Sequence, residues 1–169
     1  MRASIAAVAL VALAPMSACS TEGLAFVQDQ RVEIASPGYR ELVDFPVTVD
    51  WQITSDELES ELASGLTFGV YVDIDPQPPG EPLEYFARND PQCLESPTCP
   101  DTQYLLDRGI HTTSETDITF ETLPLGPGVD LERGDPDFHE VVLILLNEDG
   151  VRVGESVWRI TFEIERDVG

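Results

Sequence analysis

Thirty-two carboxylates, nine cationic side chains, two histidines and three cysteines are the groups with which this 169-residue chain could do ionic chemistry. Carboxylate oxygens are hard ligands, so calcium is the first chemistry to weigh. The stretch Asp73-Ile74-Asp75-Pro76-Gln77-Pro78-Pro79-Gly80-Glu81-Pro82-Leu83-Glu84 has Asp73 at position 1, Asp75 at 3, Gln77 at 5 and Glu84 at 12 of a calcium-loop spacing. Position 6 of such a loop needs glycine for its sharp turn. Here it is Pro78, and Pro76, Pro79 and Pro82 stiffen the rest. A proline-rich inter-strand loop with exposed acids accounts better for the segment.

A second acidic stretch, Gly126 to Phe138, offers Asp130, Glu132, Asp135 and Asp137, and Asp90 and Asp101 lie near Cys93 and Cys99. Calcium held between loops would need these turns to meet at one end of the fold, whereas a solvated acidic surface needs no such meeting. His111 and His139 are too few for a histidine-rich metal centre. A serine triad would have to use one of them without a Gly-x-Ser-x-Gly elbow. Acids are so abundant that no carboxylate pair stands out as a hydrolase pair. No residue is therefore assigned a catalytic role, and no cofactor is expected beyond the calcium just weighed.

The balance of charge is itself informative. All nine cations are arginines, the net charge is -23 and the isoelectric point is about 4.1. Phosphate binding needs a positive field, so nucleic acid is excluded as a partner. With 42% hydrophobic residues the chain can still bury a core. So much like charge makes the compact state self-repelling unless salt screens it, a device that also suits a high-salt habitat.

Residues 1–18 read as a secretory signal: Arg2 gives the positive start, Ala3 to Ala14 is apolar, and Pro15 breaks it before small residues. A membrane span needs about 20 apolar residues, and polarity returns at Ser20, Thr21 and Glu22. The junction Met16-Ser17-Ala18-Cys19 resembles the lipobox of bacterial lipoproteins. The resemblance covers some twenty residues and implies cleavage before Cys19 and lipidation of its sulfur, with residues 19–30 forming the lipidated cysteine and a short tether. Ser20 is compatible with an outer-membrane destination, since that family's retention signal at this position is aspartate. A plain secreted protein cut near Ala18 is the alternative. Several acyl chains make a stable anchor where a single one does not. The mature chain would carry 8 arginines against 32 acids, a net charge of -24.

With Cys19 spent on lipid, Cys93 and Cys99 remain in an oxidising compartment and are expected to be bonded. Their C-x5-C loop, with Pro97 inside and Pro91 and Pro100 beside it, suits a tight irregular turn. Metal ligation has no second cysteine or histidine pair to complete it.

The elements that would position these groups show strand periodicity. Val47, Val49, Trp51 and Ile53 alternate with polar residues; so do Leu66 to Ile74 and Trp158 to Ile164. Weaker strands are expected at Arg31–Ile34, Glu84–Ala87 and Ile118–Leu123. Glu140–Leu146 is apolar on both faces, as a covered central strand would be. Asp149-Gly150 predicts a hairpin between the last two strands, and Ser55 caps a short helix over Asp56–Ala63 with Leu58 and Leu62 on one face. About seven strands predict an all-β fold, an antiparallel immunoglobulin-like sandwich over residues 31–169 with Trp51 and Trp158 in its core. A jelly roll is the alternative. The expected role is a lipid-anchored cell-envelope module of binding or structural type, its partners the membrane and an envelope protein or polysaccharide. A calcium-dependent adhesion or sensor module and an extracytoplasmic hydrolase are the competing readings.

Overall fold

The computed structural model describes residues 29–96 and 98–166; the expected signal segment 1–18, Cys19, the expected tether as far as residue 28, Pro97 and residues 167–169 lie outside the described residues. Among the described residues eight strands form two sheets. β1 (Val32–Ser36), β3 (Val47–Ile53) and β6 (Asp117–Phe120) make a three-stranded sheet in the order β1-β3-β6. β2 (Leu42–Val43), β4 (Thr67–Val72), β5 (Ile110–Thr113), β7 (Asp137–Leu146) and β8 (Arg152–Ile164) make the other, in the order β2-β8-β7-β4-β5. The fold is a β-sandwich, as the alternation predicts.

Alternation works because successive side chains of a strand point to opposite faces. Val47, Val49 and Trp51 of β3 turn inward to meet Phe68, Val70, Val141, Leu143, Trp158 and Phe162 of the larger sheet. Trp51 and Phe68 meet edge to face, with ring centroids 5.2 Å apart. β7 is covered on both sides. Val141, Leu143 and Leu145 face the inter-sheet core. Val142, Ile144 and Leu146 join Tyr71 and Ile110 in a second cluster, against which Leu83, Phe86 and Leu105 pack from the long β4–β5 connection.

That connection corrects one expected strand. Glu84–Ala87 is not extended but part of a 3-10 turn, Leu83–Ala87. Leu83 and Phe86, three residues apart, share a face of such a turn and together press on the outside of the sheet. The segment around His111, expected at a strand edge, is β5, and the two-residue β2 is the strand that went unforeseen. β2 runs parallel to β8, so the pairing is not wholly antiparallel.

The remaining local signals hold. β7 and β8 pair antiparallel through the predicted hairpin, where Gly150 takes φ 72 and its amide donates to the Asn147 carbonyl at 2.9 Å. α1 (Asp56–Ala63) begins at Ser55, whose hydroxyl oxygen accepts from the Leu58 amide, and Leu58 is fully buried. Beyond the 3-10 turn, the β4–β5 connection carries α2 (Pro91–Leu94) and α3 (Thr102–Leu106). Cys93 and Cys99 are bonded between these helices, with Cα atoms 4.9 Å apart, so the bridge pins a surface loop and does not join the sheets. Asp90 caps α2 and also receives the Tyr104 hydroxyl at 2.9 Å and the Arg108 guanidinium, which ties α2 to α3. Among the described residues no helix is long and apolar enough to cross a membrane.

Candidate functional site

The chemistry-bearing residues gather at one end of the sandwich, where β4 finishes and β7 begins. Asp137 and His139 are two apart on β7 and so share a face, and both are buried. Asp73, just past β4 with φ 56, turns back toward them. Its Oδ1 accepts the Glu140 amide at 2.9 Å, and its Oδ2 lies 2.7 Å from His139 Nδ1. On the other side of the ring, Asp137 Oδ2 stands 3.3 Å from His139 Nε2, a charge contact outside hydrogen-bond geometry. The same carboxylate receives Arg166 Nε, while Arg166 Nη2 donates to the Leu123 and Pro124 carbonyls at 2.9 and 3.0 Å. Asp137 Oδ1 accepts the Gly126 amide at 2.8 Å. Gly126 is confined to glycine by this approach, since a Cβ there would sit 2.5 Å from the Phe138 carbonyl oxygen.

The result is an alternating chain of charges: Asp73, His139, Asp137, Arg166. Burial on its own would lower the His139 pKa, but the Asp73 hydrogen bond and the charges of Asp73 and Asp137 outweigh it and raise the group above its ordinary 6.5. Burial likewise pushes Asp137 up, and the Gly126 amide, Arg166 and His139 together overcome it, leaving the carboxyl below its usual value. Both ring nitrogens of the imidazole face carboxylates, and the chain of charges clamps the β4 end, β7 and the C-terminal end of β8 together.

Asp73 is also a wall of a half-open cleft of about 620 Å³ at this end. Val72, Phe120 and Leu123 form buried parts of its lining. Leu106 at the end of α3 and Leu125 of the β6–β7 connection are 39% and 49% exposed and flank it from different loops. His111 lines it too, its ring edge-on to Phe120 at 5.3 Å, and burial lowers its pKa so that it is neutral at pH 7.

The carboxylates singled out as calcium candidates do not converge. Asp73 and Asp137 meet only through His139. Asp75 is exposed and pairs with Arg159 at 3.1 Å, and Glu84 is exposed on the 3-10 turn. Asp130 caps the short turn Leu131–Arg133 and binds the Arg133 guanidinium at 2.7 Å, while the Asp135 amide returns to the Asp130 carbonyl. Asp101 caps α3. Among the described residues no group of three or more His, Cys, Asp or Glu side chains is arranged to hold a metal ion.

No local spacing points to the part played by Arg166, 29 residues beyond Asp137. Asp29 was also missed: Arg31 binds it twice over, Ser156 donates to it, and the Arg31 hydrogen bond leads the causes that lower its pKa to about 2. Its carbonyl accepts from Trp158 Nε1 at 2.8 Å, so Asp29 and Gln30, assigned by sequence to the tether, dock on the domain. Comparison with family models, curated proteins and solved structures gave no match to the chain.

Proposed function

We propose that the protein is a lipid-anchored, extracytoplasmic module with a non-catalytic binding role in the cell envelope, attached through Cys19 to the cell membrane or outer membrane, and that its sandwich is of immunoglobulin type. The strand order supports the architecture. The first, third and sixth strands make one sheet, and β8, β7, β4 and β5 run side by side in the other, as strands G, F, C and C′ do in immunoglobulin domains.

The observation that carries the binding role is the position of the cleft relative to the tether. Gln30, next to Asp29 where the described chain begins, accepts from the hydroxyl of Thr54, one residue past the end of β3 at Ile53. The cleft takes Phe120, the register partner of Val47 at the other end of β3. A strand rises about 3.3 Å per residue, so the two ends of β3 are roughly 20 Å apart. An anchor at Cys19 thus holds the domain by one end and presents the cleft at the other. Residues 19–28 reach at most about 35 Å when fully extended, which keeps the anchored end near the bilayer.

The anchor is tested by replacing Cys19 with serine. The variant should leave the membrane fraction and lose incorporation of labelled fatty acid; unchanged partitioning would contradict the proposal.

A further inference from the structure

We infer that the cleft takes a cationic peptide segment, one large apolar side chain flanked by lysine or arginine. This rests on the binding role proposed above and names the chemistry of the partner. The apolar half of the argument is the shape of the site. Val72, Phe120 and Leu123 offer a desolvated floor, and Leu106 and Leu125 stand exposed at its sides, where an inserted aromatic or branched side chain would cover them. About 620 Å³ accommodates such a side chain together with adjoining backbone.

The charged half comes from what stands beside the cleft and from the field of the whole chain. Arg108, the cation in the lining, is already paired with Asp90 and laid over the Tyr104 ring at 3.5 Å, so its charge is spent within the protein. Asp73 is spent on His139. Asp107 differs: it is exposed, it lines the cleft, and its carboxylate accepts from the neutral Gln103 amide at 2.7 Å. His111 adds a neutral ring and no positive charge to oppose a cation. A chain with a net charge of -23 draws cationic segments toward it and repels acidic ones, and Asp107 meets them where the apolar floor opens.

The test uses the full mature lipoprotein in phosphatidylcholine nanodiscs at physiological salt, with fluorescence anisotropy of three labelled pentapeptides: Lys-Lys-Phe-Lys-Lys, Lys-Lys-Ala-Lys-Lys and Glu-Glu-Phe-Glu-Glu. Burying a phenyl ring is worth enough that the first should bind roughly tenfold or more tighter than the second. Leu106→Ser with Leu125→Ser should abolish that advantage, and Asp107→Asn should weaken the lysine peptides while leaving the ring's advantage in place. Equal binding of the phenylalanine and alanine peptides would mean that charge alone attracts them, and would overturn the inference. If the glutamate peptide binds as well as the lysine one and the double leucine variant removes both, the cleft binds but its cationic preference is wrong. If no phenylalanine peptide responds to the leucine substitutions, the cleft itself is not the binding site.

Discussion

His139 Nδ1 lies 2.7 Å from Asp73 Oδ2 across a sequence separation of 66 residues, and this pair closes the end of the sandwich where the cleft opens. One partner is the first residue after β4 and the other is near the start of β7, so their contact fixes the relative height of two neighbouring strands. Asp137 and Arg166 continue the chain to the β6–β7 connection and the C-terminal end of β8.

Breaking this chain should be costly, because removing one member strands a buried charge. Asp137→Ala leaves Arg166 Nε and the Gly126 amide without their acceptor and removes the carboxylate charge beside His139 Nε2. A loss of about 3 to 5 kcal/mol in denaturant unfolding is expected, with the midpoint shifting and the slope unchanged. A loss within ordinary surface range would show that the charges are solvated in solution.

The same residues set a pH dependence whose sign follows from the shifts. His139 is raised above 6.5, so its contribution is fully present below pH 6.5 and is lost as pH climbs through the raised folded value. Asp137 is lowered below 3.8, so its contribution is present above pH 3.8 and is lost as pH falls through its folded value. Melting temperature should therefore decline on the alkaline side of pH 6.5, and His139→Gln should flatten that decline. An identical slope in the variant would assign it to other groups.

The layered β architecture was legible in the chain because burial on one face writes period-two alternation into β3 and β8, and burial on both faces writes the apolar run of β7; β4, whose alternation in sequence suggests one wet face, is covered on both, with Tyr71 buried on the outer side. The Ser55 cap and the Asp149-Gly150 hairpin are local chemistry and were equally plain. The clamp was not. Asp73 and Asp137 drew attention only as candidate calcium ligands, and pairing either with His139 depends on β4 lying against β7, a long-range register that no local spacing encodes. The 3-10 turn at Leu83–Ala87 read as a strand because its apolar residues serve the same outer face that a strand would have covered.

The Cys93–Cys99 bridge closes a short loop between α2 and α3. Replacing both cysteines by serine should cost about 2 kcal/mol by loop-closure entropy, with the sheets intact by circular dichroism. A collapse of the β signal would mean that the loop supports the fold rather than decorating it.

Salt should stabilise the protein by screening its acidic surface. Because the candidate calcium carboxylates are dispersed or already engaged with arginine or histidine, calcium and sodium chlorides at matched ionic strength should raise the melting temperature equally. A rise specific to calcium and reversed by EDTA would reveal a site that binds the native state.

The central claim, that an anchor at one end presents the cleft at the other, is open to one direct measurement. Nitroxides are placed separately at exposed Ser60 on α1, next to Glu61, which pairs with Arg31, and at Leu125 beside the cleft, through Ser60→Cys and Leu125→Cys in the lipidated protein. Vesicles carrying nickel-chelating headgroups then report proximity by relaxation enhancement. Stronger enhancement at position 60 than at position 125 is the expected result. Equal enhancement at both, or the reverse order, would contradict the account.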